Sequence, residues 1–276
     1  ADTSIASGEQ FKIEHKIEGQ NLQAFAKGTS DAKPFAVSFY VKGNASATYV
    51  CELFDVDNSR QCSKTFNVTT DWTRIELTFP ADTTGAFDDD NDQSLVLVFF
   101  LHAGSDRTSG TLNSSGFASS TNANRAVGIS SFFDSTDRTF FITGVQLEVG
   151  QNPTEFEHEP FDVTREKCYR YLYKVDGITQ YSAFGAGKLN NTTDANVFVT
   201  FPKEMRVKPS IIHEDVSKLR CDTTTHTMSY STVNNFLSKY GGLYNITGMS
   251  GVSSQEQACI LRFETADSHI LYDAEL

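Results

Sequence analysis

Hydrophobic and polar residues alternate with a period of two along the first half of the chain. In PFAVSFYVKG (34–43), the apolar residues Phe35, Val37, Phe39 and Val41 fall on one face, as expected for a half-buried strand. The alternation recurs in ATYVCELFDV, SKTFNVTTDWTRIELTFP and TFFITGVQLEV, whereas SLVLVFFLHAG has the nearly continuous apolar character of a strand covered on both faces. Clusters of Gly, Asn, Asp and Ser separate these stretches. The pattern predicts an antiparallel β-sandwich.

The pattern changes at VQLEVGQNPTEFEHEPF (145–161). Gly150 accepts a positive φ, and the Asn-Pro pair that follows turns the chain, because the residue before a proline is pushed out of the helical region. After an extended acidic and aromatic run, Asp162 or Thr164 is a suitable N-cap for a short helical turn. We therefore predict a first domain at residues 1–150 and a linker with a short helical turn at residues 151–167.

Strand-like stretches resume after the linker. In CYRYLYKV (168–175), Tyr169, Tyr171 and Tyr173 alternate, which favours a packed face of a strand. The stretches that follow have the same character: ANVFVTFP, PSIIHE, TTHTMSYSTV, GLYNITGMS, QACILRFET and HILYDAEL. The sequence thus predicts an all-β protein of two β-sandwich domains, the second at residues 168–276.

Composition narrows the range of partners. The chain has 276 residues and a formal net charge of −12, which argues against a nucleic-acid partner, because phosphate binding needs clustered Lys and Arg. No run of 18 apolar residues occurs, so membrane insertion is not expected. The opening ADTSIASGEQ has neither the basic end nor the apolar core of a signal peptide.

The five Cys include no CxxC pair, and reduced thiols are favoured over a bridge between Cys51 and Cys62 across a hairpin.

The junction resembles a known class of protein. FFITGVQLEVGQNPTEFEHEPFDVTREKCYRYLYK is similar to the junction of tail-fibre and related virion proteins of bacteriophages, especially marine ones. Upstream, AVSFYVKGNASATYVCELFD and TTDWTRIELTFPADTTGAFDDDNDQSLVLVFFLHAGS resemble the jelly-roll module of such proteins, which is itself similar to carbohydrate-binding modules. Downstream, FVTFPKEMRVKPS and YDAEL resemble their C-terminal β-domain. Glu159 stands where a basic residue is usual, which leaves the ion pair of that turn in question.

The resemblance implies a jelly-roll-like first domain and a structural role in a phage virion, with assembly in the bacterial host cytoplasm and other virion proteins as partners. We expect a tail-fibre or receptor-binding appendage, as a trimer, that attaches to host surface glycans. The alternatives are a capsid-decorating or tail-assembly protein with no host ligand, a glycan depolymerase, and a secreted carbohydrate-binding module glycosylated at a sequon such as Asn44 or Asn245.

The stretch GSDRTSGTLNSSGFASSTNANR (104–125) is poor in apolar residues and predicts a long loop. Loops longer than about 15 residues are usually functional or mobile, and loops on a rigid sandwich often carry binding. We therefore select Asn113, Phe117 and Asn122 as candidate contacts for a ligand. The alternative interpretation is that residues 104–125 form a flexible surface loop with no role in binding.

Two further features have competing interpretations. Asp88, Asp90 and Asp92 lie in AFDDDNDQS and are weak candidates for a Ca²⁺ site, but the spacing is not that of an EF-hand and a solvated acidic turn is favoured, so no cofactor is expected. Trp72, the only Trp, could stack a sugar ring, although a Trp on a sandwich more often anchors a core or a sheet edge.

No catalytic residue is selected, and the chain is not expected to be an enzyme. The sequence has no GxSxG nucleophile elbow, no HExxH, no Walker-type loop and no GxGxxG. Its six His are scattered without ligand spacing. A glycosidase needs only two carboxylates at a suitable separation, so the depolymerase alternative stays open at this point.

Overall fold

The computed structural model describes residues 1, 4–213, 219–223, 227–228, 232–249 and 257–276. The chain divides into two compact units. The N-terminal unit comprises Ala1–His158 with Leu276, and the C-terminal unit comprises Glu159–Glu275. None of the described helices combines the length and the apolar character needed to cross a membrane.

The N-terminal unit is built from antiparallel strands. Their bounds are β1 Gln10–Glu18, β2 Phe35–Gly43, β3 Ala47–Asp55, β4 Arg60–Val68, β5 Thr73–Phe79, β6 Gln93–Ala103, β7 Ala118–Ser119 and β8 Phe140–Val149. One sheet has the order β1-β6-β3-β4-β7 and the other the order β5-β2-β8. A short helix, α1 (Ser105–Thr108), follows β6.

The two sheets of this unit enclose one aromatic core. Phe35 and Phe39 of β2 pack there with Leu53 of β3 and with Leu97 and Phe99 of β6, all nearly inaccessible to solvent. Two antiparallel sheets that share one core form a sandwich, so the predicted all-β sandwich is confirmed.

Strand β6 is covered on both faces, as its continuous apolar sequence indicated. Leu95, Leu97 and Phe99 face the main core, whereas the intervening Val96, Val98 and Phe100 belong to a second cluster. The chain after β6 covers that second cluster, with Ala126 buried and Leu112 and Ile129 packed against it.

The segment 104–125, predicted as one long loop, contains short elements and is fixed to the five-stranded sheet. Arg125 forms hydrogen bonds to the buried carboxylate of Glu52 through its Nε, which lies 3.0 Å from Oε1. The guanidinium group also lies over the rings of Phe54 and Phe100. A buried ion pair with aromatic neighbours anchors the segment at this point.

The C-terminal unit begins with helix α2 (Phe161–Cys168), and Glu159 just before it pairs with Lys167. The predicted strand at 168–175 begins later, because α2 continues to Cys168. The strands of this unit are β9 Leu172–Asp176, β10 Ala183–Leu189, β11 Ala195–Thr200, β12 Ser210–His213, β13 Leu219–Thr223, β14 Thr227–Met228, β15 Thr232–Ser238, β16 Gly241–Thr247, β17 Ala258–Phe263 and β18 His269–Asp273.

These strands also form two antiparallel sheets, with the orders β14-β13-β17-β10-β11-β16-β15 and β12-β18-β9. Leu261, Val197 and Tyr244 from the larger sheet share a core with Ile270 and Tyr272 from the smaller one. The hydroxyl of Tyr244 donates to that of Tyr272 over 2.8 Å, which satisfies both buried phenols. The C-terminal unit is therefore the second β-sandwich.

Candidate functional site

Three side chains form a row across the outer face of the three-stranded sheet of the N-terminal unit. Lys42 of β2 is paired in register with Phe141 of β8, and Trp72 immediately precedes β5. The ammonium nitrogen of Lys42 lies 5.2 Å from the centroid of the Trp72 ring and 5.3 Å from that of Phe141. We refer to Trp72, Lys42 and Phe141 as the aromatic platform.

The rings of the platform are open to solvent. Trp72 is 48% exposed and Phe141 is 49% exposed. Strand alternation explains the orientation of Trp72, because its neighbour Thr73 is paired with the inward-facing Val41. Trp72 is therefore not a core residue, whereas its position beside β5, an edge strand of this sheet, agrees with the alternative of a residue at a sheet edge.

A β-bulge turns Phe141 outward. In the pairing of β2 with β8, the register shifts between Ser38 and Tyr40, next to Gly144, which has a φ of +58°. Leu147 on one side of the bulge and Ile142 on the other both pack on the core. The two residues are five positions apart, so in a regular strand they would lie on opposite faces. The extra residue reverses the alternation, so the period of two in TFFITGVQLEV does not place one set of residues on the same face along the whole strand.

The turn that carries Trp72 is held by short-range hydrogen bonds. The hydroxyl of Thr69 donates to the carbonyl of Asp71 over 3.1 Å, and the hydroxyl of Thr73 donates to the same carbonyl over 3.3 Å. The backbone N–H of Gly43 on β2 donates to the carbonyl of Thr69 over 2.8 Å. These bonds fix the backbone of the turn at Trp72 relative to β2, as a preformed binding surface requires.

The segment 150–158, which we call the strap, covers the other end of the same face. The hydroxyl of Thr78 donates to the carbonyl of Gln151 over 2.6 Å, and the backbone N–H of Glu157 donates to the side chain of Gln146 over 2.9 Å. Ser38 beneath the strap is only 2% exposed. The acidic, aromatic run in the sequence is thus a cover for half of this face, and the aromatic platform lies on the open half.

Charged and polar side chains of β8 and β5 hold the strap on this face of the sheet. The N–H of Thr154 donates to Glu148 over 2.6 Å, and its hydroxyl donates to the other carboxylate oxygen over 2.8 Å. Burial raises the pKa of Glu148, but these two hydrogen bonds, together with Gln146 and the charge of Arg74, outweigh it and hold the pKa below its ordinary value. Arg74 also donates to the carbonyl of Thr154 and lies 3.5 Å from the carboxylate of Glu155.

The structure places the three candidate loop residues in different surroundings. The side chain of Asn113 donates to the carbonyl of Gln61 on β4 over 2.6 Å, and the ring of Phe117 lies 5.4 Å from that of core residue Phe35. Asn122 is exposed and lies at the rim of a shallow depression with Arg107. The three side chains therefore do not form one surface with the aromatic platform.

In the acidic turn, carboxylates accept hydrogen bonds from backbone N–H groups. Asp88, Asp90 and Asp92 are all exposed, and the carboxylate of Asp90 accepts the N–H of Asp92 over 2.9 Å. The N–H of Asp88 donates to the carboxylate of Asp57 over 3.0 Å. Within the residues that the structure describes, no group of three or more His, Cys, Asp or Glu side chains is arranged to hold a metal ion.

Cys51 and Cys62 are free and buried thiols. Cys62 is paired in register with Leu53, and Cys51 with Lys64, so the two thiols are not directly opposite each other. Burial raises the pKa of Cys62 to about 11, which keeps it a protonated, unreactive thiol.

Comparisons with known proteins assign no family. No protein-family model and no curated protein matches the chain. Among solved structures, the wild-type discoidin II of Dictyostelium discoideum is similar over 88% of this chain and 73% of its own, with 10% sequence identity and a TM-score of 0.17. At that TM-score the two backbones do not superpose as a whole.

Sequence reasoning missed Lys42 and Phe141 as site residues. Lys42 falls on an outward position of β2, where a charged residue is ordinary, and the sequence does not distinguish Phe141 from the adjacent Phe140. The register of β2 against both of its neighbours brings these side chains beside Trp72.

Proposed function

We propose that this protein is a structural component of a bacteriophage virion, a tail-fibre or receptor-binding appendage, and that it attaches to glycans of the host surface through the aromatic platform. The sequence resemblance at the junction supports the virion role. The observation that supports glycan attachment is the row of Trp72, Lys42 and Phe141 on the open half of a sheet face.

The platform has the chemistry that a sugar ring requires. The faces of aromatic rings carry partial negative charge, which attracts the C–H groups on one face of a pyranose. Trp72 and Phe141 lie on either side of β2, so about 9.6 Å separates their strands and each ring can take a separate saccharide unit. Lys42 between them supplies donors for hydroxyl or acidic groups of the glycan.

A site of this kind binds weakly, because it is shallow and contacts few groups. Several copies on one particle compensate, since each further contact becomes intramolecular after the first. The proposed role requires binding without bond cleavage, and it assigns no catalytic residue and no cofactor. Its partners are other virion proteins and the host glycan.

Binding to an array of bacterial surface polysaccharides tests this function. The full chain is compared with the variant Trp72→Ala and with a control, Phe161→Ala, which removes a 77% exposed aromatic ring in the C-terminal unit. We expect Trp72→Ala to weaken binding about tenfold or more with an unchanged circular dichroism spectrum, and Phe161→Ala to bind as the wild type does. Equal binding by Trp72→Ala and wild type, or no binding by the wild type, would contradict the proposal.

A further inference from the structure

A second exposed surface lies in the C-terminal unit, on the outer face of the seven-stranded sheet. The register places one apolar residue of each of five adjacent strands in a single row. In strand order these residues are Ile260 of β17, Ala186 of β10, Phe198 of β11, Leu243 of β16 and Phe236 of β15. We call them the Phe198 row. With strands about 4.8 Å apart, the row is roughly 19 Å long.

Strand alternation turns the row away from the core. Leu261, Val197 and Tyr244, each adjacent in sequence to a member of the row, are at most 1% exposed. Phe198 is 55% exposed and Phe236 is 65% exposed. Soluble monomers rarely expose a contiguous apolar patch of this extent, which marks the row as a contact surface.

The surroundings of the row favour a protein surface as its occupant. Three of the five side chains are aliphatic, and they offer packing contacts to a protein but no ring on which a sugar could stack. Uncharged amides occupy one flanking row on three of the strands: Asn245 donates to Asn196 over 2.9 Å, and Asn234 is paired with Asn245, whereas Lys188 of β10 continues that row beyond Asn196. On β11, β16 and β15 this border therefore has no charge that must be removed from water when two copies meet.

The charge of the chain is divided unequally between the units. The C-terminal unit has 12 Lys and Arg against 14 Asp and Glu, a net charge of −2, whereas residues 1–158 have 11 against 21, a net charge of −10. Copies of the N-terminal unit therefore repel one another, and copies of the C-terminal unit have little electrostatic barrier to association.

The size of the face is suited to self-association. From β17 to β15 it measures roughly 19 Å across the strands and about 20 Å along them, and on β13, beyond β17, the same face carries the ion pair of Arg220 with Asp222. The accessible area of such a textured face is of the same order as the ~800 Å² per partner that a stable protein–protein interface buries. We infer that copies of this chain associate through the Phe198 row.

The inference is independent of the aromatic platform, which belongs to the other unit. It also identifies how several platforms would be held on one particle. The Phe198 row packs against the same row of a neighbouring copy, with the amide border at the rim of the interface.

Light scattering coupled to size-exclusion chromatography of the full chain tests the inference. We expect the wild type to elute with a mass that is a multiple of 30.5 kDa. Phe198→Ser removes the central ring of the row, and Ala186→Glu places like charges opposite each other in a symmetric interface, so both variants should have the mass of one chain. The control Ile178→Ser changes a residue that is 82% exposed outside the row and should associate as the wild type does.

A wild type that remains a single chain, or a Phe198→Ser variant that stays associated, would overturn the inference. Circular dichroism establishes that each variant is folded. A monomeric wild type whose polysaccharide binding is lost in Phe198→Ser would also overturn it, because the row would then be a glycan site. The variant Trp72→Ala should associate as the wild type does, so failure of the proposed function and failure of this inference give different results.

Discussion

Lys27 is a buried ammonium group near the strand ends of the N-terminal unit. Its side chain is fully inaccessible, and its nitrogen lies 2.5 Å from the carboxylate of Asp55 and 3.2 Å from that of Asp82. Arg60 also binds Asp82, with its Nε at 2.7 Å. Buried charges are tolerated only when each has partners, so these four residues hold their loops in one arrangement. This network was not predictable from the sequence, because Lys27 and Asp82 are far apart in the chain and neither belongs to a motif.

Asp82 makes the stability of the N-terminal unit dependent on pH. Burial raises its pKa, but hydrogen bonds from Arg60 and Thr84 and the charge of Lys27 outweigh burial, so the pKa in the folded protein is below its ordinary value. A lowered pKa in the folded state gives a stabilisation that is present above the unfolded pKa of about 3.9 and is lost as the pH falls through the folded pKa.

Asp82→Asn should therefore lower the free energy of unfolding by about 3 kcal/mol at pH 7, because it leaves Arg60 without its carboxylate partner and Lys27 with Asp55 alone. The difference from wild type should shrink between about pH 5 and pH 2 in urea unfolding followed by circular dichroism. Asp89→Asn, on the exposed acidic turn, serves as the control and should change the free energy by less than about 0.5 kcal/mol. A difference that stays constant down to the lowest pH would show that Asp82 is not the titrating group.

The elements of the candidate site are strands β5, β2 and β8, and their register depends on one bulge. Gly144 lies at that bulge with a φ of +58°, and a Cβ at this position would lie 3.2 Å from the ring of Tyr40. A β-branched residue is strained at positive φ, and it would also have to displace the Tyr40 ring.

Gly144→Val should lower the free energy of unfolding by about 1–3 kcal/mol. It should also weaken glycan binding, because it disturbs the bulge that directs the Phe141 side chain outward. The matched control is Gly116→Val, because a Cβ on Gly116 meets no atom within 4 Å. Thermal unfolding by calorimetry and binding to the selected polysaccharide measure the two effects. Equal melting temperatures for the two variants would contradict the role assigned to the bulge.

Individual strands were largely predictable, whereas their pairing was not. Strand β2 was predicted at its full length because Phe35, Val37, Phe39 and Val41 alternate without interruption. Strand β1 was not predicted, although FKIEHKIE alternates, since six of its nine residues are charged or polar. The glycines of β10 gave no apolar pattern, and the bulge in β8 is set by pairing with a strand about 100 residues away.

At the scale of the whole molecule, the sequence predicted two sandwiches, and the structure describes two compact units, each with its own core. The surfaces that carry the proposals were not predictable. Trp72 and Phe236 are ordinary aromatic residues in the sequence, and only the pairing of strands distinguishes an outward ring from a core ring. The candidate loop residues were selected from composition alone, which does not distinguish Asn113, engaged with β4, from the exposed Asn122.

The central claim is that Trp72 contacts a glycan, and the chain offers a direct measurement of it. Trp72 is the only Trp, so the tryptophan fluorescence of the full protein reports this one residue. When the polysaccharide selected on the array is titrated into the protein, we expect the emission to shift to shorter wavelength and quenching by acrylamide to decrease, because the half-exposed ring is covered. Emission and quenching that remain unchanged while the polysaccharide is bound would contradict the account.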